Sequence, residues 1–371
     1  MRLSYWEYKT WLSDIDYTIV GSGIVGLNCA LQLRKRFSKA KILILERGTL
    51  PQGASTKNAG FACFGSISEI LADFREHSRE EVYALVEKRW KGLELLRKNL
   101  PDKTMAFQRY GGHELFLKTQ HELFVQCSER ILEVNEILHP IFNEDVFKLQ
   151  GNSFGFKKIK QNYITNNFEA QLDTGKMMDS LLQLVQSQGI YILNSVAVLE
   201  FSEHGVAVSV KTDQFEFKTK KLLIATNGFA SHLLKRENVK PARAQVLITK
   251  PIANLHIKGT FHLDEGYYYF RNIDGRILLG GGRNLDFKGE ETDVLGETDQ
   301  IQSQLEKLLA EVILPETPFK IERRWSGIMG VGNEKMPIVQ SISHNVFCGV
   351  RLGGMGVAIG SLVGKELADL V

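Results

Sequence analysis

The stretch DYTIVGSGIVGLNCALQLRKRF limits the possible folds of this chain more than any other. A short β-branched run, Tyr17 to Val20, meets three glycines, Gly21, Gly23 and Gly26, and then apolar residues at helical spacing, Leu27, Ala30 and Leu31. A second strand, KILILERG, follows and ends in Glu46, twenty residues after Gly26. The pattern is a βαβ unit with glycines at its first turn. Gly21 permits the tight turn, Gly23 lets a pyrophosphate approach the backbone, and Gly26 lets the helix pack on the strand. The helix N-terminus favours the phosphate charge. A carboxylate at Glu46 accepts both hydroxyls of an adenosine ribose and disfavours a 2′-phosphate, so FAD or NAD is preferred to NADP. A glycine-rich turn without a ligand is the alternative; the strand before, the helix after and the spaced acid argue against it.

The next segment, GASTKNAGFAC, separates the two dinucleotides. FAD needs its ribityl chain and isoalloxazine edge bound by backbone and small polar groups running on from the pyrophosphate. Ser55, Thr56 and Asn58 supply hydroxyls and an amide, while Gly53, Ala54, Ala59 and Gly60 let the main chain pass close to a flat ring. Arg47, just after the acid, joins the cofactor set. A surface loop rich in turn formers would not explain the apolar continuation FACFG.

Bulk properties narrow the classes further. The 371 residues are 43% hydrophobic and 24% charged, enough for two domains with a substantial core. Forty-six Lys plus Arg against forty-three Asp plus Glu leave +3, too balanced for a nucleic-acid surface. Cys29, Cys63, Cys127 and Cys348 show no CxxC pair and no zinc spacing, and read as reduced thiols of a cytoplasmic protein. No basic and then apolar leader opens the chain, and no run approaches the roughly eighteen apolar residues of a membrane span. Tyr5, Trp6, Tyr8 and Trp11 form either a small aromatic dock or an arm packed on its own domain.

Gly21 to Gly26, Glu46 and the loop from Gly53 to Gly60 resemble the D-amino acid oxidase superfamily of flavoproteins. Later segments support the likeness in the family's order over nearly the whole chain. A helix from about Thr174 to Gln188 and a strand from Ile190 to Leu193 precede Val198, which the resemblance places against adenine through its backbone. Strand Leu222 to Ala225 closes with Thr226, Asn227 and Gly228, like the family's strand beside the pyrophosphate, although Asn-Gly is also a plain turn. Strand Val346 to Val350 leads to Gly353, Gly354, Met355 and Gly356 and a C-terminal helix. In the family that helix start faces the flavin N1 and C2 carbonyl edge, where its N–H groups and dipole favour the reduced form. Met355 stands where many relatives have histidine.

The resemblance implies an α/β fold, a Rossmann-like FAD-binding domain interleaved with an α+β substrate domain built on a mixed β-sheet. The expected cofactor domain comprises 1–85, 150–235 and 322–371, and the substrate domain 86–149 and 236–321. Helices are expected at Arg79 to Leu100 and near Gln120 to Leu138, with strands in RYGGHELFLKTQ and from Pro241 to Gly282. In GYYYFRNIDGR, Tyr267 and Tyr269 alternate with Tyr268 and Phe270, so one pair faces the flavin. Arg271 matches an arginine that ends this strand in relatives and grips a substrate carboxylate, unless it forms a surface ion pair. Arg351 is a further cation for flavin or substrate, unless it is the buried partner of an acid. His113 and Glu114 read as structural.

Several absences complete the picture. WSGIMG lacks the arginine of glycine oxidases and looks more like the amine-oxidising branch around γ-glutamylputrescine oxidase. No cysteine lies between Trp325 and Gly330 to attach flavin, so FAD is expected noncovalently, and no metal. Leu278 stands where sarcosine oxidases carry an oxygen-activating lysine, which leaves O2 and another electron acceptor both open. Cys63 is a reactive thiol or, more simply, an apolar filler. The expected reaction is oxidation of the C–N bond of an amine or amino acid by hydride transfer to FAD, giving an imine that hydrolyses. A 2-hydroxy acid dehydrogenase is the alternative; a tRNA-modifying flavoprotein and a noncatalytic FAD module fit less well. Neither nucleic acid nor a membrane span is expected as a partner.

Overall fold

A computed structural model describes residues 3–235 and 238–371. Among these, the strands form two eight-stranded sheets and one short two-stranded pair. The first sheet has the spatial order Ile338–Ser341, Val346–Val350, Glu216–Ile224, Ile15–Val20, Ile42–Leu45 and Tyr191–Leu193. From Val346–Val350 onwards the pairing is parallel. A parallel sheet covered on both faces needs continuously apolar strands, and ILIL at 42–45 is buried throughout.

Alternation sends Ile19, Ile42, Ile44 and Leu223 towards the helices Ile24–Arg36, Thr174–Ser187 and Gly356–Asp369. Val20, Leu43, Leu45, Leu222 and Ile224 face the other way, under Val208 and Val210 of the antiparallel strands 198–212. The helices approach so closely that side chains are excluded. A Cβ on Gly364 would lie 2.5 Å from the Val25 carbonyl oxygen, and one on Gly92, in the long helix Arg79–Asn99, 2.1 Å from that of Ala358.

The second sheet runs Ile321–Val331, Lys240–Thr249, Arg276–Gly281, Tyr268–Ile273, Thr260–Leu263, Gly112–Leu115, Asn162–Asn166 and Phe147–Gly151. All its pairings are antiparallel except that of Thr260–Leu263 with Gly112–Leu115. Leu247, Leu279, Phe270 and Phe261 sit opposite one another across four strands and pack under the helix Asp299–Leu308. The Phe261 and Phe270 rings stack at 4.5 Å. One residue along each strand, Val246, Gly280, Tyr269 and His262 form the matching row on the opposite face.

The result is an α/β molecule with a mixed second sheet, and three local expectations change. Strands 162–166 and 321–331 fall within stretches assigned to the cofactor domain, yet their hydrogen bonds place them in the second sheet. The helix expected near 120–138 is two helices, His121–Glu129 and Ile131–Phe142, because Arg130 leaves helical geometry. The arm at the N-terminus does not bury its rings: Tyr5 and Trp6 remain about two-thirds exposed, and Leu12 supplies the buried anchor.

Candidate active site

A continuous cavity of about 610 Å³ runs from the carboxyl ends of the parallel strands to the open face of the second sheet. Its position follows the rule for open α/β sheets, where ligands bind beyond the strand ends. At one end Gly21 adopts φ +104, a left-handed geometry open to glycine, and a Cβ there would meet the Ala225 carbonyl oxygen at 2.9 Å. Gly26 is not in the wall. It packs the helix on the strand, with space for no Cβ beside the Gly21 carbonyl oxygen.

Glu46 is buried and held by four donors at its two oxygens: Ser22 N–H at 3.1 Å, Ser22 Oγ at 2.8 Å, Gly48 N–H at 3.0 Å and Gln52 N–H at 3.4 Å. Arg47 borders the same end and lies 3.6 Å over the Phe229 ring. Val198, opening the strand Val198–His204, lines this end with Val196 and Ala197. Thr226 and Gly228 lie between the two ends, and the buried Thr226 Oγ1 has no hydrogen-bond partner among the described residues. A hydroxyl so placed is open to a ligand acceptor or donor, and its place beside the glycine turn fits the pyrophosphate of FAD.

The small-residue loop has a different internal logic from the one its composition suggests. Ser55 Oγ accepts from the Ile24 N–H at 3.0 Å, and a Cβ on Gly23 would crowd that hydroxyl at 2.8 Å. Asn58 donates to the Ala54 and Ser55 carbonyls and accepts from the Gly60 N–H at 2.9 Å and Thr174 Oγ1 at 3.0 Å. Ser55, Asn58 and Ala59 still border the cavity, but the Thr56 hydroxyl does not. It turns back to the Pro51 carbonyl at 2.6 Å, so its expected cofactor contact is replaced by a loop bond. Gly60 is likewise outside the wall; its positive φ lets its carbonyl take the Leu172 N–H at 2.9 Å.

Gly353, Gly354, Met355 and Gly356 line the cavity's inner side, with Met355 capping the helix Gly356–Asp369. Gly353 and Gly354 both have positive φ, which turns the chain so that the helix start faces the cavity. Cys63 lies 3.7 Å from the Met355 sulfur, and burial pushes its thiol pKa well up, so it acts as a filler and not as a nucleophile.

Opposite stand Tyr267 and Tyr269, both in the wall as alternation predicts, although Tyr267 precedes the strand proper. The Tyr269 ring lies on Gly280, where a Cβ would clash at 2.6 Å, and burial pushes its pKa up to about 12. Arg271 shares this face but lies one row deeper and does not border the cavity. It is neither a surface ion pair nor a cavity-facing fork: it is buried under Gly60, with Nε unpartnered and its pKa lowered by burial to about 10. Arg351 is also misplaced for substrate. Its guanidinium is tied to Glu334 at 3.0 Å and the Met336 carbonyl at 2.9 Å, outside the cavity.

Phe61, Glu69, Glu265, Arg283 and His262 line the same end and were not singled out. His262 was legible: a polar residue between the core residues Phe261 and Leu263 must point to the other face of a strand. Its Nε2 lies 2.9 Å from Glu169 Oε2. Burial alone would lower its pKa, but the Glu169 charge and hydrogen bond, with Glu69 and Glu114, raise it to about 9. Glu114, across from His262 in the next strand, accepts from Ser68 and is raised by burial to about 7. His113 faces the opposite side among Phe154, Tyr163 and Phe261, which makes it structural.

A glycine-turn βαβ unit joined through one cavity to a sheet-lined pocket fits an enzyme that holds a dinucleotide cofactor against its substrate. Residues 16–370 match the DAO family of FAD-dependent oxidoreductases, and the chain belongs to that family. The Escherichia coli γ-glutamylputrescine oxidoreductase is 23% identical over 96% of this chain and 83% of its own. A probable oxidoreductase, OrdL, of Haemophilus influenzae is 20% identical over 98% and 84%. Among solved structures, L-proline dehydrogenase from P. horikoshii has TM-score 0.76 at 19% identity, covering 96% of this chain and 93% of that one. Glycine oxidase from Geobacillus kaustophilus has TM-score 0.74 at 18% identity, covering 96% and 94%. The chain is thus an FAD-dependent oxidoreductase. No helix among the described residues is long and apolar enough to cross a membrane.

Proposed function

We propose that this enzyme oxidises the C–N bond of an amine or amino acid with noncovalently held FAD. The observation that carries this reading is the single cavity joining the Gly21–Glu46 end to the Tyr267–Tyr269–His262 wall. Glu46, Val196 to Val198 and Arg47 would hold the adenosine, Thr226 and the glycine turn the pyrophosphate, and Gly354 to Gly356 the flavin. Bound FAD accepts a hydride from the substrate carbon. Tyr267, Tyr269 and Phe61 shape a wall that would orient the substrate amine, so that its lone pair can form the imine as the hydrogen leaves. Water then gives the carbonyl product and the released amine. The relatives named for glycine, proline and γ-glutamylputrescine chemistry support a C–N substrate. Reduced thiols at Cys29, Cys63 and Cys127 fit a reducing compartment such as the cytoplasm.

Anaerobic mixing of the yellow protein with amino acids, polyamines and 2-hydroxy acids tests the reading. Bleaching by an amine is expected, and recolouring in air then distinguishes O2 from another acceptor. Bleaching by a hydroxy acid alone would reverse the assignment.

A further inference from the structure

The cavity wall contains a buried histidine that the sequence motifs do not announce. His262 is 5% exposed, borders the cavity, and uses Nε2 on Glu169; Nδ1 has no hydrogen-bond partner among the described residues. Glu169 is fully buried, and space for it is made by Gly112, where a Cβ would lie 1.9 Å from Oε2. Thr260 Oγ1 donates to that same oxygen at 3.1 Å. The Phe61 ring lies edge-on to His262 at 5.4 Å and to Tyr269 at 5.5 Å, closing the pair from the side. A bare glycine, a buried acid and a histidine thus fix the ring in the cavity wall and leave Nδ1 uncommitted.

Other basic residues at or near the cavity are placed differently: Arg47 lies over the Phe229 ring and Lys57 sits in the small-residue loop. Arg271 lies behind the wall, and Lys335 is paired with Asp73. Arg283 is half-buried beside Phe287, at 4.9 Å, where the chain becomes exposed. His232 pairs with Asp293 at 2.6 Å.

Resting on the oxidation of a C–N bond proposed above, we propose that His262, held by Glu169, anchors the carboxylate of an amino-acid substrate through Nδ1–H. The enzyme would then select amino acids over plain amines. A cationic donor to a carboxylate makes a stronger bond than a neutral pair and loses its strength when the ring deprotonates. The charged or titratable groups facing the ring are Glu169 from the segment before Ala170–Gln171, Glu114 from the adjacent strand, Glu69 from the helix Ile67–Glu76 and Tyr269 from the paired strand. The charge and hydrogen bond of Glu169, helped by Glu69 and Glu114, raise the ring's pKa to about 9 against its burial.

The test titrates the FAD-loaded protein with anthranilate and with anthranilamide, reading the flavin spectrum and the binding heat. Anthranilate is expected to bind at least about tenfold more tightly than the amide, with that preference fading above pH 9. H262Q should bring the ratio near one while leaving FAD uptake unchanged, and H262N should do the same. E169Q should move the loss of preference to lower pH, as the ring returns towards its ordinary pKa. An unchanged ratio in both His262 variants, or an equal loss of acid and amide, would overturn the proposal. FAD uptake, visible as yellow colour before any ligand is added, reports separately on the parent reading.

Discussion

Gly112 shows how much one missing methyl group decides here. A Cβ would fall inside the Glu169 carboxylate, which has no room to retreat because it is fully buried against Thr260 and His262. G112A should therefore destabilise the protein by ~1–3 kcal/mol, read as a lower denaturation midpoint at unchanged slope. The same pair predicts a pH effect. The His262 pKa is raised in the folded protein, so its contribution to stability is complete below its ordinary value near ~6.5 and is lost as pH rises through about 9. Denaturation measured across that window should show stability falling by at most ~1.4 kcal/mol per pH unit from this residue, and H262Q should remove that part of the slope. Arg351 carries the opposite lesson: a cation two residues from Gly353 spends its donors on Glu334 and Met336, so R351A should cost stability more than substrate affinity.

At the scale of elements, the cofactor half is held by a stack of helices whose contact depends on glycine. Gly364 faces the Val25 carbonyl and the Cys29 N–H, Gly360 faces Ile24, and Gly92 lets the long helix cross Gly356–Asp369. That C-terminal helix is capped by Met355 and begins at Gly356, so its position sets where its free N–H groups meet the cavity. G364V would push the helix from its partner, costing ~2–4 kcal/mol and shifting the Met355 end. The expected readouts are a lower melting temperature and weaker FAD binding, the second measured by spectral titration. Strand elements act by alternation: the Tyr268 and Phe270 side builds the core, and the Tyr269 side builds the wall.

On the scale of the whole molecule, the cavity lies between two sheets whose strands are drawn from interleaved parts of the chain. A ligand that fills it binds only the folded form. FAD at about a hundred times its dissociation constant should add ~2.7 kcal/mol of stability and raise the melting temperature, whereas NAD should leave it unchanged. E46A should weaken that shift, because the four donors now held by Glu46 would lose their acceptor and the ribose its carboxylate.

Local pattern determined much of this protein. Gly21, Gly23 and Gly26 with Glu46 act within one βαβ unit, where spacing along the chain fixes spacing in space, and the Tyr267 to Phe270 alternation follows from the strand repeat. Which cation meets the cavity was not written in that way. Arg271 and Tyr269 share a face, yet one row of depth separates buried wall from open cavity, and only the tilt and packing of the second sheet set that row. Thr56 sits in the expected loop but turns away, because its hydroxyl finds the Pro51 carbonyl first. Glu169 and His262 stand ninety-three residues apart and meet because Thr260–Leu263 pairs in parallel with Gly112–Leu115. Such partnerships depend on long-range strand order, which no local spacing encodes.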